Sequence, residues 1–414
     1  MDRTPPNQVR KRRVFYIPGY DPFHPRRYRE LYRREGADQA KISGYSLDLK
    51  PKKIGDTFGW HVAGDMDGAQ VSAEFDVLLW SDIVRASMAG TIPGTYAQLV
   101  RTAWTYFSTG ALWRLMRLRK GPVIAALYPV GMLLGQLALA VALAALVRAG
   151  LARGIDAVMP SAGVAGNALA LVAGLGAAVA ALRWFKAKDN KLFAYYLMHD
   201  YAYSAQSRGA YPPELEQRMA QFGDAIAAAL DTGVDEVLVV GHSSGAHLAV
   251  SILSDLIRAG RVPPKGPHLA FLSLGQVVPM VSFLPKAHRL RADLQFLSTR
   301  NELVWVDVSA PGDGCAFALC DPVAVSGVAT KGKRWPLVFS AAFTQSLSAA
   351  RWKELRWRFF RLHFQYLCAF DRPRDYDYFQ ITAGPVTLKD RYAGRPASRS
   401  RIETPVSKYA SVAA

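Results

Sequence analysis

One serine in this chain stands in a setting that favours nucleophilic chemistry, within Gly241-His242-Ser243-Ser244-Gly245. The apolar run 237–240 before it is short enough to predict a buried strand, and residues 246–253 after it favour a helix. Flanking glycines permit a sharp strand-to-helix turn that exposes the serine, and the helix N-terminus favours developing negative charge. The pattern predicts Ser243 to be a nucleophile for acyl transfer, whereas the simpler alternative is a Gly/Ser-rich connecting turn.

The nucleophile needs a sheet to hold it, and apolar segments elsewhere predict one. Besides 237–240, strands are predicted at 14–17, 42–49, 58–64, 71–80, 268–274, 303–308 and 335–341. Helices are predicted at 96–118, 191–206 and 213–230. Because strands and helices alternate, we expect an α/β fold with a doubly wound, mostly parallel sheet.

The GHSSG elbow, the early strand ending in IPGYDP (17–22) and the order of candidate catalytic groups resemble the α/β-hydrolase superfamily over most of residues 13–380. The resemblance implies a serine hydrolase that cleaves an acyl ester without a metal or an organic cofactor. It also implies an oxyanion hole formed by the backbone N–H groups of Ser244 and of Tyr20 or its neighbour. Lipase-like members often have His-Gly where this chain has Pro-Gly, which could also be an ordinary turn.

In that superfamily an acid and then a histidine follow the serine along the chain. Four histidines follow Ser243, and only His363 comes after the strand predicted at 335–341, so it is the expected general base. The competing interpretation is one continuous helix over 352–367 with His363 on its core face.

The expected acid is Asp313, in the glycine-rich loop that follows the strand predicted at 303–308. Asp307, within that strand, and Asp321, at the start of an Asp-Pro turn, are the alternatives. Each of the three could instead form a turn or cap a strand.

The composition narrows the range of partners. Lys and Arg outnumber Asp and Glu by 51 to 33, a net charge of +18 that favours anionic surfaces. No nucleic-acid motif is present, so a nucleic-acid partner is not expected. The cysteines, Cys315, Cys320 and Cys368, have neither a disulfide-framework nor a zinc-site pattern. The basic N-terminus lacks the apolar core of a signal peptide, which favours a cytoplasm-facing enzyme.

Two charge-free runs, 122–147 and 157–182, interrupt the predicted α/β domain. As helices they would each extend about 39 Å, more than the roughly 30 Å hydrocarbon core, so we expect a transmembrane hairpin. The alternative is a buried helical pair in a soluble core. Small residues, at Gly131 and Gly135 and at every fourth position from Gly166, could join the two helices or form a homodimer.

Positive charge flanks the hairpin at 114–120 and 183–191, while the predicted loop at 148–156 carries only two arginines. This bias predicts an integral membrane protein whose catalytic domain faces the cytoplasm. The expected organisation is a basic segment (1–12), a first hydrolase part (13–120), the hairpin (121–184), a second hydrolase part (185–390) and a disordered tail (391–414). The expected function is that of a membrane-anchored, lipase-like serine esterase acting on a small-molecule or lipid ester; the alternative is an inactive binding or scaffold protein with the same fold.

Overall fold

The computed structural model describes residues 8–52 and 57–413. Within them, eight strands form one sheet in the order β2-β3-β4-β1-β5-β6-β7-β8. The strands are β1 (Lys11–Ile17), β2 (Ser46–Pro51), β3 (Gly59–Met66), β4 (Ala69–Val77), β5 (Glu236–His242), β6 (His268–Leu274), β7 (Leu303–Ser309) and β8 (Leu337–Ser340). Neighbouring strands are parallel except at β2–β3 and β3–β4. The predicted α/β class with a mostly parallel sheet is confirmed.

Helices fill most of the connections between strands. They are α1 (Arg26–Ser43), α2 (Ser81–Ser87), α3 (Ile92–Ser108), α4 (Ala111–Leu118), α5 (Lys120–Val158), α6 (Gly163–Ala187), α7 (Asp189–Leu192), α8 (Ala194–Gln206), α9 (Pro213–Leu230), α10 (Gly245–Arg258), α11 (Val278–Ser282), α12 (His288–Leu297), α13 (Pro322–Val325), α14 (Phe343–Ser346), α15 (Ala349–Leu355), α16 (Phe359–His363), α17 (Tyr378–Ala383) and α18 (Leu388–Arg391). Short 3₁₀ turns cover Pro160–Ala162 and Gln365–Leu367.

Two of the differences from the predicted element boundaries occur at a glycine. The strand predicted at 42–49 starts too early, since α1 runs to Ser43 and ends at Gly44 with φ of 74°. The helix predicted at 96–118 is two helices, α3 and α4, separated at Gly110 with φ of 71°. A positive φ is cheap for glycine and ends a helix there.

The chain divides into two compact units, of which the first comprises Met1–Ala86, Tyr106–Val123 and Ser207–Ala414. This unit contains the whole sheet. All seven residues of β5 are buried, which requires cover on both faces of the strand. Against one face of the sheet lies a core cluster that includes Tyr32, Trp60, Phe75 and Phe379. The central strands are therefore rigidly held, and their carboxyl ends form a firm edge for a site.

The second unit comprises Ser87–Thr105 and Ile124–Gln206 and contains most of α5 and all of α6. Both helices are long and apolar enough to span a membrane. The connection between them is shorter than predicted, because residues 148–156 continue α5. A Cβ at Gly174 would lie 2.6 Å from the carbonyl oxygen of Ala144, so the small-residue face that starts at Gly166 packs α6 against α5. Gly131 and Gly135 have open space around them.

The tail predicted to be disordered from Arg391 instead follows an ordered path in the described residues. The N–H of Ile402 donates to the carbonyl of Leu319 at 2.7 Å, and that of Asp321 donates to the carbonyl of Ile402 at 2.9 Å. Ser398 N–H donates to Val338 of β8 at 2.9 Å. The tail lacks regular structure, yet its backbone groups form hydrogen bonds along the sheet unit. Such contacts between distant residues cannot be predicted from composition.

Candidate active site

Ser243 lies at the sharp turn between β5 and α10, as the pentapeptide predicts. Its φ is +57°, in the left-handed region that non-glycine residues rarely adopt. A Cβ at Gly245 would lie 2.1 Å from the carbonyl oxygen of Ile17, and one at Gly241 would lie 2.8 Å from Cα of Ala246. Both glycines are therefore required for the chain to turn this tightly, and the turn leaves Ser243 partly exposed.

The loop after β1 passes directly beside the serine. A Cβ at Gly19 would lie 3.0 Å from Cβ and 3.3 Å from Oγ of Ser243. The indole of Trp80 holds this loop by donating to the carbonyl of Pro18 at 3.0 Å. Tyr20 follows in the same loop, and Ser244 precedes the first residue of α10. The two backbone segments predicted to form an oxyanion hole thus meet at Ser243.

His363 and Asp313, predicted as base and acid, are brought together. His363 Nδ1 lies 2.8 Å from Asp313 Oδ2, and both side chains are buried. Asp313 accepts two further hydrogen bonds, from Tyr366 Oη at 3.0 Å and from the N–H of Cys315 at 2.9 Å. Burial alone would raise the pKa of Asp313, but His363 and these donors lower it below its ordinary value. The carboxylate is therefore charged and oriented at neutral pH.

The two alternative acids lie elsewhere and have structural partners. Asp307 is buried within β7 and accepts a hydrogen bond from Ser273 Oγ at 2.6 Å, and burial raises its pKa to about 7. Asp321 caps α13 through the N–H groups of Val323 and Ala324 and pairs with Lys333 Nζ at 2.5 Å. Only Asp313, among these three, contacts His363.

The continuous helix considered for 352–367 is broken into α15, α16 and a 3₁₀ turn. His363 is the last residue of α16, so its side chain is not held on the face of a long core helix. The short pieces let the histidine and Tyr366, three residues later, approach Asp313 from the same side.

His242, next to Ser243, has a role that the sequence analysis did not assign. Its Nε2 lies 3.0 Å from the carbonyl oxygen of His363, and Nδ1 lies 3.3 Å from Tyr16 Oη. Burial lowers the pKa of His242 to about 3, so the ring is neutral and Nε2–H can donate to that carbonyl. His242 thereby ties the elbow to the segment carrying the base. Its position beside the serine was the available signal.

The carboxyl ends of β5, β6 and β7 lie side by side at the candidate active site. The N–H of Ser243 donates to Leu274 at 3.0 Å, and that of Gly275 donates to Val308 at 3.0 Å. A Cβ at Gly275 would lie 3.2 Å from His363 Cε1 and 3.3 Å from Asp313 Oδ2. The serine and the histidine–aspartate pair therefore border the same small region.

The candidate active site lies where the order of strands in the sheet reverses, between β1 and β5. After β1 the chain builds β2–β4 on one side, and from β5 onward it builds the other side. Open α/β sheets bind ligands outside the carboxyl ends of strands at such a reversal. Ser243 after β5 and the Gly19 loop after β1 both lie there.

Asp313, Cys315 and His363 offer ligand atoms within 4.8 Å of one another, a set that could hold a metal ion. The contacts among them are hydrogen bonds to Asp313, from His363 and from the backbone of Cys315. A histidine held through Nδ1 by a carboxylate has the geometry that an oriented general base requires.

No protein-family model matches the chain. Comparison with curated proteins and with solved structures likewise gives no match.

Proposed function

We propose that this protein is a serine hydrolase of the α/β-hydrolase type, which cleaves an acyl ester and is anchored in a membrane by α5 and α6. The observation that carries the proposal is the placement of Ser243 in a left-handed elbow against Gly19, with the His363–Asp313 pair at the adjoining strand ends. A connecting turn without catalytic function has no need of a buried histidine–aspartate pair beside it.

In the proposed mechanism His363 removes the proton from Ser243 Oγ as that oxygen attacks the ester carbonyl. Asp313 holds the imidazole tautomer and stabilises its protonated form. The backbone N–H groups of Tyr20 and Ser244 stabilise the oxyanion, and losing one such donor costs roughly 3–4 kcal/mol. His363 then protonates the leaving alcohol, and water releases the acyl group from Ser243.

The membrane part of the proposal is supported by the two long helices and the charges around them. Arginine and lysine cluster before α5 and after the apolar part of α6, which favours retention of both flanks in the cytoplasm. The short connection at 159–162 then faces the opposite side. An ester that partitions into the inner leaflet is the substrate most available to such an enzyme.

Labelling with a fluorophosphonate probe tests the catalytic proposal. Ser243→Ala should abolish labelling, because the probe reacts only with an activated serine. Ser244→Ala is the matched control, since it removes a hydroxyl from the same elbow but leaves its backbone N–H in place. Labelling of the Ser243→Ala variant at the wild-type rate, or no labelling of the folded wild type, would instead support an inactive binding protein.

The acid can be tested by replacing the three aspartates one at a time. Asp313→Asn should lower the turnover of a nitrophenyl ester by about 10⁴-fold, because the imidazole loses its orienting carboxylate. Asp307→Asn and Asp321→Asn should affect thermal stability more than turnover, since their partners lie away from His363. A greater loss of turnover in either of these would move the acid to that residue.

A further inference from the structure

A basic groove lies beside the candidate active site, in the sheet unit, with a volume of about 290 Å³. Its lining includes four arginines, from α1 and from the segment around α15 and α16: Arg27, Arg34, Arg351 and Arg361. Glu35 is the one carboxylate among the lining residues. The proposed acyl-transfer mechanism uses none of these charges.

The positive charge of the groove is incompletely neutralised by nearby carboxylates. Arg351, Arg358 and Arg361 each lie 3.4 Å from a single carboxylate, that of Glu354. Arg27 pairs with Asp21 at 3.1 Å. Arg34 pairs with Glu35 at 2.9 Å and keeps 65% of its side chain exposed. Three arginines therefore share the single carboxylate of Glu354, and this part of the groove keeps excess positive charge. Arginine groups arranged around a recess bind phosphate oxygens with fixed geometry, and several together favour a dianion or a phosphodiester over a neutral ligand.

The groove shares a wall with the candidate active site. The Arg27 guanidinium stacks over the ring of Phe364 at 5.0 Å, and the other neighbours of that ring include His242, at 5.0 Å between centroids. Phe364 directly follows His363 in the chain. A ligand held by the arginines would therefore lie one side chain away from the acyl-transfer centre.

The loop at the rim carries exposed aromatic side chains among arginines. Trp357 is 72% exposed and Phe359 is 47% exposed, while Phe360 lines the groove itself. Tryptophan and phenylalanine combined with arginine are typical of segments that contact lipid headgroups. This favours a phosphate carried by a lipid over a free phosphate compound.

We propose that this groove binds the phosphate group of an anionic phospholipid, and that the acyl ester cleaved at Ser243 belongs to that lipid. The second clause rests on the proposed function, whereas the binding itself does not. Glycerol esters without a phosphate would lack the contact with the arginines and bind less tightly.

Calorimetric titration of the full-length Ser243→Ala protein in detergent tests the binding without turnover. Monomeric dihexanoyl glycerophosphate should bind at least tenfold more tightly than dihexanoyl glycerol. Arg361→Gln should weaken binding of the phosphate ligand about tenfold. The matched control is Arg358→Gln, which removes a partner of the same Glu354 but does not line the groove. Equal affinity for the two ligands, or equal losses in the two variants, would overturn the proposal.

Two further measurements separate the sources of phosphate and the two proposals. Inorganic phosphate should compete only at concentrations at least a hundredfold higher than the lipid; equal competition would show a site for free phosphate compounds and overturn the lipid assignment. In the active protein, Arg361→Gln should raise KM for the phosphate ester, whereas Arg358→Gln, outside the groove, should leave both this KM and the fluorophosphonate labelling rate unchanged. Loss of labelling in the wild type with intact lipid binding would refute the hydrolase but not the groove.

Discussion

The central strands and the two long helices are both strongly apolar, yet the strands bury their side chains and the helices expose most of theirs. Every residue of β5 is buried within the protein. In the most apolar windows of the two helical segments, only 17% and 11% of residues are buried, and Leu146 and Val164 are 71% and 87% exposed. The hydrophobic effect stabilises the sheet from within, whereas the described residues leave most apolar side chains of the two helices uncovered, as membrane spans would be. This contrast is the main support for a membrane anchor.

The strongest test of the contrast places the same charge in each region. Val239→Asp, in fully buried β5, should prevent folding, because an unpaired buried charge costs several kcal/mol against a total stability of about 5–15 kcal/mol. Leu139→Asp, at a position 62% exposed in α5, should leave the sheet unit folded and weaken only membrane insertion, by about 2.5–3.5 kcal/mol.

Circular dichroism with thermal melting would report on folding of these two variants, and carbonate extraction would report on insertion. If Leu139→Asp unfolded the protein as completely as Val239→Asp, α5 would belong to a soluble core and the comparison would fail.

Topology gives an all-or-none test of the same comparison. In a Cys315→Ala background, Ser161→Cys in the turn between α5 and α6 should react with an impermeant maleimide in intact cells, because the turn is proposed to lie outside. Gln221→Cys, exposed in α9, should react only after lysis. Labelling of position 221 alone in intact cells would keep the spans but reverse the orientation.

Arg12 and Glu236 form a buried ion pair in the sheet unit, and breaking this pair should have a large effect on stability. Arg12 Nε and Glu236 Oε2 lie 2.6 Å apart with no exposure. Arg12 also donates to the carbonyls of Gly384 and Val386, and Glu236 accepts from the N–H of Leu388. Arg12→Met should cost about 3–5 kcal/mol in free energy of unfolding, because Glu236 is left charged and buried.

Denaturant titration measures this loss, and the Arg12→Met/Glu236→Leu double variant is its control. The double variant should recover part of the stability, since no lone charge remains. A double variant as unstable as the single one would show that the loss comes from the bonds to residues 384–388 and not from the charge.

Counted per pH unit, the smallest predicted effect is that of acidification. Burial lowers the pKa of both His242 and His247 to about 3, below the ordinary value of 6.5. As the pH falls below 6.5, these two histidines take up protons in the unfolded chain before they do so in the folded protein. The free energy of unfolding is therefore unaffected by them above pH 6.5 and decreases as the pH falls toward 3. The slope is about 1.4 kcal/mol per pH unit for each histidine.

His247→Gln should remove one of these two contributions while keeping an acceptor for Tyr211 Oη, which lies 3.1 Å from His247 Nδ1. Urea titrations between pH 7 and pH 4 should show a shallower decline for the variant. An unchanged slope would mean that His247 is protonated in the folded protein.

The strands and the elbow could be predicted from the sequence because short apolar runs and glycines act locally. The strand predicted at 268–274 coincides with β6. For the acid, the sequence favoured Asp313 but left Asp307 and Asp321 as alternatives. The choice among them depends on which loop reaches His363 in the folded protein. The roles of His242 and Tyr366, and the ordered path of the tail, depend on contacts between distant residues and have no local signature. Helix α1 escaped prediction because its buried face mixes Tyr28, Tyr32 and Ala40 with polar residues and glycine, which leaves no clear apolar periodicity.

The position of β1 in the sheet has a consequence for how the chain is made. β1 pairs with β5, and their residues Arg12 and Glu236 are 224 positions apart in the sequence. While the ribosome synthesises α5 and α6, β1 can already pair with β4. The other edge of β1 stays unpaired until β5 has been synthesised. That edge presents unpaired backbone N–H and C=O groups, the kind of surface that recruits foreign strands. Insertion of the two apolar helices into a membrane, as proposed above, would hold nascent chains apart until β5 arrives to cover the edge.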